Sequence, residues 1–122
     1  MDIRCLTMET SKPLRGFLFA CTNKSEVECL CSQLFAAEKS YGPIVIRVRK
    51  GDLLFLNNID TDTLFGVFKS VSDGNFNLQS EAFGGKYPYQ VKVEPLGEMI
   101  TVVKAKKLLN RFRVKYSPRM WG

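Results

Sequence analysis

Gly16-Phe17-Leu18-Phe19-Ala20-Cys21-Thr22-Asn23-Lys24-Ser25-Glu26-Val27-Glu28-Cys29-Leu30-Cys31-Ser32-Gln33-Leu34 changes its period partway through. Gly16 to Cys21 is a short apolar, aromatic-rich run of strand length, opened by a glycine. From Val27 the apolar positions fall at Val27, Leu30, Cys31 and Leu34, the spacing that lines one face of a helix. Asn23-Lys24-Ser25-Glu26 lies between them in the form of a capping box, a side-chain cap with a glutamate three residues later. The stretch predicts a buried strand running straight into a capped helix. The helix N-terminus, with unpaired N–H groups and partial positive charge, opens at the strand's end and could hold an anion or a polar base edge. A plain β–α scaffold junction fits the same residues.

Outward from this junction the chain reads as short strands. Residues 1 to 15 form an irregular lead-in with a turn signal at Ser11-Lys12-Pro13. After the helix, Gly42-Pro43 launches an extended segment, and Ile44 to Lys50 alternates apolar Ile44, Ile46 and Val48 with Val45, Arg47 and Arg49. Leu53-Leu54-Phe55-Leu56 is apolar on both faces, as expected of a central strand covered on both sides. Asn57 to Thr63 is a polar hairpin loop, and Leu64 to Val71 returns as a second apolar strand. Asn77 to Gly85 is a loop or short helix carrying Phe83, followed by a strand from Tyr89 to Val93 that Pro95-Leu96-Gly97 breaks. Val102, Ala105 and Leu109 have the spacing of a short helix with Lys104, Lys106 and Lys107 outward. Arg111-Phe112-Arg113-Val114-Lys115-Tyr116 alternates as a strand with three cations on one face. Five or six short strands with one to three short helices predict an α+β fold, a small mixed β-barrel.

At 122 residues the chain is long enough for one domain and one core. Hydrophobic residues at 45% and charged residues at 25% are ordinary for a globular protein, so disorder is not expected. No apolar run is long enough to span a bilayer, and Met1-Asp2-Ile3-Arg4-Cys5 lacks the pattern of a signal peptide. An intracellular protein is expected, cytoplasmic or, in a eukaryote, nuclear, with no membrane partner. Cys5, Cys21, Cys29 and Cys31 fit reduced thiols in that compartment. The charge is uneven. Residues 1 to 98 carry eleven Lys and Arg against twelve Asp and Glu, whereas residues 99 to 122 carry seven basic residues and no acid. The whole net charge of +6 therefore belongs to the C-terminal block, which suits a polyanion or simply a solvated basic surface.

Catalysis finds no candidates in these residues. The chain has no histidine, so neither a histidine-assisted nucleophile nor a mixed Cys/His metal site can form. Asp60-Thr61-Asp62 opens like a calcium loop, but Leu64 and Val71 stand where further ligands belong. Gly84-Gly85-Lys86 lacks the spacing of a phosphate-binding loop. No enzyme, metal or cofactor is expected. Binding is better supplied. Lys24 stands at the helix start, Arg47, Arg49 and Lys50 form a cluster, and Arg111, Arg113 and Lys115 line the last strand. Tyr41, Phe83, Tyr87 and Tyr116 are aromatics in or near loops, where a ring can stack a base or plug the core.

Gly16 to Asn23, followed by Glu28-Cys29-Leu30 and Gln33-Leu34-Phe35, resembles the opening of the DCD (development and cell death) domain. Gly51 to Asn58 and Leu64-Phe65-Gly66-Val67-Phe68 resemble its middle. Ala82-Phe83 and Tyr87-Pro88-Tyr89-Gln90-Val91-Lys92-Val93 resemble its close. The likeness covers about residues 15 to 95 of a single domain, with residues 99 to 122 as a basic extension packed on it. Ala36-Ala37-Glu38 departs from the Gly-Leu-Pro that the family usually has there. The order of elements is also similar to the wider PUA-like group, including YTH and EVE domains, which read RNA or modified bases beside the first strand's end. That remoter similarity implies a pocket flanked by Thr22, Asn23, Lys24, Asn57 and Asn58. The expected function is non-enzymatic binding of RNA or another single-stranded nucleic acid. The bases would meet that pocket with Phe83 and Tyr87, and the phosphates Arg47, Arg49, Lys50, Arg111, Arg113 and Lys115. The alternative is a protein-interaction or stress-signalling module whose basic strand meets an acidic partner.

Overall fold

Two parallel strands, β2 (Arg15–Cys21) and β4 (Leu53–Asn58), form the spine of the molecule, in register from Gly16 beside Leu53 to Cys21 beside Asn58. The computed structural model describes residues 3–7, 15–109 and 113–115, with the backbone alone at 4–7, 15 and 113–115. The chain runs β1 (Ile3–Thr7), β2, α1 (Glu26–Ser32), β3 (Leu34–Ala37), α2 (Gly42–Val45), β4, β5 (Thr63–Ser70), β6 (Asn75–Phe76), β7 (Tyr89–Val103), α3 (Ala105–Leu109) and β8 (Arg113–Lys115). Short 3₁₀ turns at Lys39–Tyr41 and Ala82–Gly85 complete the described elements. The strands lie in the order β3-β7-β5-β4-β2-β1-β8, with β6 alongside β7. The result is the expected α+β architecture, a nearly closed, barrel-like sheet with three short helices.

The apolar residues of the spine explain its position. Phe17, Phe19, Cys21, Leu54 and Leu56 point into the main core, where Phe35 packs edge-on to Phe68 at 4.8 Å. The opposite face of the sheet carries Leu18 of β2 and Leu64 of β5, clustered with Ala105 and Leu109 of α3, with Phe55 of β4 against them. The double apolar character of Leu53-Leu54-Phe55-Leu56 thus reflects cover on both sides, as the sequence predicted. Close packing at this layer demands glycine at 66. A Cβ there would come within 2.5 Å of the Phe55 ring.

Several elements differ from the sequence reading, each for a local reason. Ile44 to Lys50 is not a strand: Gly42–Val45 is a helical turn, and Arg47 lies in the turn that follows it. Pro43 sits in the first turn, where its fixed φ and missing N–H suit a helix start. Ile44, Val45 and Val48 are then buried together while Ile46 is exposed. The α1 face also differs. A tight turn, with Thr22 C=O accepting from both Ser25 and Glu26 N–H, sets the phase so that Cys29 is buried and Val27 is 65% exposed. Gln33 takes a left-handed φ of 50° and ends the helix, and Leu34 to Ala37 pass into the fully buried strand β3, which residue types alone did not reveal. Within the expected irregular lead-in, Ile3–Thr7 is strand β1. Pro95-Leu96-Gly97 does not end β7. Its pairing with β5 instead jumps from Phe68 beside Pro95 to Gly66 beside Ile100, and the four residues between bulge outward. The short helix expected from Val102, Ala105 and Leu109 forms as α3 over Ala105–Leu109 alone, with Val102 still in β7 and Lys104 at a φ of 54° between them, and Arg113–Lys115 of the alternating last segment pairs with β1. Arg111, Phe112 and Tyr116 lie outside the described residues.

Candidate functional site

The parallel register of β2 and β4 separates the sheet into two ends. One holds Cys21 and Asn58. The other holds Gly16 and Leu53, roughly 17 Å away at about 3.3 Å per residue. The sequence-predicted site residues divide between them.

At the first end, Asn58 is fully buried. Its Nδ2 donates to Asn23 Oδ1 at 3.0 Å and to Glu26 Oε1 at 3.1 Å. Its Oδ1 accepts the backbone N–H of Asp60 at 2.9 Å and of Thr61 at 3.2 Å. Asp60 in turn accepts the Asn23 N–H through Oδ2 at 2.9 Å. Asn57 Nδ2 donates to Thr63 C=O at 3.1 Å, and Thr22 N–H donates to Ser25 Oγ at 3.1 Å. Asn23 and Glu26 therefore do not cap α1 as a capping box. Ser25 holds the cap position without a side-chain cap bond, and Asn23 and Glu26 both turn onto Asn58. Thr22, Asn23, Asn57 and Asn58 do come together at this end of the sheet. Their side-chain bonds, however, run to one another, to Ser25 and Glu26 at the start of α1, and to the β4–β5 hairpin. Lys24 beside them is exposed. Beneath this cluster, burial first and then the carboxylates of Glu26 and Asp60 push the Cys21 thiol up from 9.0 to about 12. Burial likewise raises Cys29. Such thiols stay protonated and unreactive. Glu28 accepts the Phe83 N–H at 2.6 Å and so ties α1 to a residue whose φ is 54°. Phe83 is buried and meets Tyr87 edge-on at 5.7 Å, so its ring serves the core.

The second end is built differently. Arg47, Arg49 and Lys50 lie exposed on the turn that leads into β4. Asp52 Oδ2 accepts the Arg49 N–H at 2.9 Å, and Arg49 Nη1 donates to Ile46 C=O at 3.1 Å, which fixes the turn while most guanidinium donors face water. The turn is tied to the β5–β6 connection: Lys50 N–H donates to Asp73 Oδ1, and Gly74 N–H to Val48 C=O, both at 2.9 Å. Gly74 has no alternative residue, since a Cβ would collide with the Val45 carbonyl. Two residues on, Phe76 is 53% exposed and meets Tyr89 edge-on at 5.3 Å. The Tyr89 ring itself rests on Gly42, where an added Cβ would approach within 2.5 Å. The sequence reading missed Phe76. The available signal was one large aromatic among polar turn residues in Gly74-Asn75-Phe76-Asn77, with no periodic apolar partner.

Backbone register also brings β8 to this end. Arg113 lies beside Thr7, Thr7 beside Arg15, and the adjoining Gly16 beside Leu53. Arg113 and the start of β4 are thus level, three strand spacings or about 14 Å apart. Among the described residues, no group of three or more His, Cys, Asp or Glu side chains is placed to hold a metal, and no helix is long and apolar enough to cross a membrane.

The development and cell death domain profile matches residues 15–115. The chain is 31% identical over 105 residues to the DCD domain-containing protein NRP-B of Glycine max, covering 75% of this chain and 32% of that one. It is 32% identical over 105 residues to the B2 protein of Daucus carota, covering 75% and 51%. Against the DCD domain-containing protein NRP of Arabidopsis thaliana it is 32% identical over 89 residues, covering 67% and 26%. The chain thus spans from about a quarter to about half the length of these relatives. No solved structure matches it. The profile match over residues 15–115 and the similarity to these relatives establish that the chain belongs to the development and cell death (DCD) domain family.

Proposed function

We propose that this DCD domain is a non-enzymatic binder of single-stranded nucleic acid, RNA in the first instance, and that it binds at the Leu53 end of the sheet. The observation that carries the reading is the fixed neighbourhood of Arg49, Lys50 and the exposed Phe76, with the basic strand β8 level with them. Unpaired bases need an aromatic face, and the phosphates between them need cations within reach. A ring 53% exposed, two residues from a connection that is hydrogen-bonded to the turn carrying Arg49 and Lys50, supports both needs. The Asn58 end contributes to the fold in this reading, and the exposed Asn23 and Lys24 are left to a secondary contact.

An acidic protein would answer the same cations, but it would not need Phe76. The two readings separate in one titration series with labelled single-stranded RNA. Replacing Arg49 and Lys50 with alanine should flatten the log–log salt dependence by about 1.4, at about 0.7 per phosphate contact. Phe76→Ala should weaken binding roughly tenfold, as loss of one stacked base predicts, without changing that slope. Absence of RNA binding even at low salt would overturn the proposal. Binding that ignores Phe76 and is equally strong to an acidic polypeptide would favour the protein partner.

A further inference from the structure

The outer half of β7 has an edge that nothing in the described fold covers. β5 pairs with one side of β7 as far as Val103, but β3 pairs with the other side only from Tyr89 to Lys92. The last bond on that side is Val93 N–H to Gln33 C=O at 2.9 Å. From Glu94 onward no strand pairs with this edge among the described residues. The same segment carries Leu96, Met99, Ile100 and Val103, four of the eight large apolar side chains exposed among the described residues, with Ile100 63% and Val103 70% exposed. An unpaired strand edge with apolar side chains is a template for another strand. Pro95 and the Leu96–Met99 bulge interrupt the first part of the edge. Ile100 to Val103 have neither proline nor charge to protect them.

The charges select the occupant. Glu94 and Glu98 lie toward the start of the segment, Lys104, Lys106 and Lys107 follow its end, and no acid occurs after Glu98. We infer that the outer half of β7 is the seam of a homodimer, in which two copies pair antiparallel about a two-fold axis. In that arrangement the acidic end of each strand faces the basic end of its partner, twice over, while the apolar side chains meet between them. A parallel pairing would set lysine against lysine. The segment is therefore complementary to itself in one orientation.

Sedimentation equilibrium over a concentration series tests this on the full chain. The expected result is a reversible monomer–dimer equilibrium that Ile100→Lys with Val103→Lys weakens by at least roughly tenfold, as removal of a central apolar contact does. Both residues are exposed, so the thermal transition should be unchanged and should confirm that the variant is folded. A second pair tests the orientation. Glu94→Lys with Glu98→Lys makes both ends basic, and Lys104→Glu with Lys106→Glu makes both ends acidic. Each variant alone should stay monomeric at concentrations where the parent dimerises, and an equimolar mixture should restore the dimer. A parent chain that is monomeric throughout, or a dimer indifferent to residues 100 and 103, would overturn the proposal and leave the edge to a different partner or to none.

Discussion

The two ends of the β2–β4 spine use polar residues in opposite ways. At the Asn58 end, asparagine, glutamate and aspartate side chains bond to one another and to backbone N–H groups, and the central side chain is fully buried. At the Leu53 end, aspartates bond the backbone of the turn while the cations and Phe76 stay at the surface. Aspartates 52, 60 and 73 perform the same kind of task at both ends, accepting backbone N–H groups, so acidic residues here organise loops. The difference teaches that a cluster of polar residues at a strand's end is not by itself a site. A site needs polar or aromatic groups that the fold holds in place without satisfying.

The sharpest way to break this contrast is Asn58→Ala. It orphans the Asp60 and Thr61 N–H groups and leaves Glu26 and Asn23 without their donor, so a loss of about 3 kcal/mol is expected, read by urea unfolding. RNA affinity of the remaining folded protein should not change. Glu28→Ala removes the acceptor for the Phe83 N–H and should cost about 1–2 kcal/mol in the same assay. Phe76→Ala and Arg49→Ala should do the reverse. They should reduce binding as described above while unfolding stability shifts by less than about 0.5 kcal/mol for Arg49→Ala and by no more than about 1.5 kcal/mol for Phe76→Ala, the worth of its edge contact with Tyr89. A large stability loss at Phe76 would erase the distinction between the two ends.

The smallest effect concerns pH and is nil at neutrality. The folded Cys21 thiol titrates near 12 and its ordinary value is 9.0, so above pH 9 the unfolded chain binds fewer protons than the folded one. Stability should then fall as pH rises from about 9 toward 12, with Cys29 acting in the same direction. Cys21→Ala should reduce that alkaline loss in pH-dependent denaturation. An alkylating reagent at pH 8 should modify the exposed Cys31 well before the buried Cys21 and Cys29.

Much of this was legible in the residues. The apolar run Gly16–Cys21, the two-faced strand Leu53–Leu56 and the ordered motifs carried both the spine and the family. The helix after Asn23 was also legible, although its buried face was not. A seven-residue helix takes its phase from the turn before it and the residue that ends it, and Val27, Leu30 and Leu34 have the spacing of a face that Gln33 cuts short. Ile44–Lys50 misled for a similar reason. β-branched residues favour a strand, but Pro43 and the burial of Ile44, Val45 and Val48 on one side decide for a helical turn.

By itself the sequence determined the class of fold, the absence of any histidine in this chain and the basic character of the C-terminal block, because these follow from composition and periodicity, whereas the family follows from the order of its motifs. Tertiary structure alone decided which polar residues spend their hydrogen bonds on each other. Asn23 and Asn58 lie 35 residues apart, and only the parallel pairing of β2 with β4 makes them partners. It likewise decided that Phe76 stays at the surface, two residues beyond Gly74, which bonds to the turn before β4, and that among the described residues the outer edge of β7 has no strand beside it where β3 ends. Those are properties of which chain segments become neighbours, and no local pattern encodes them.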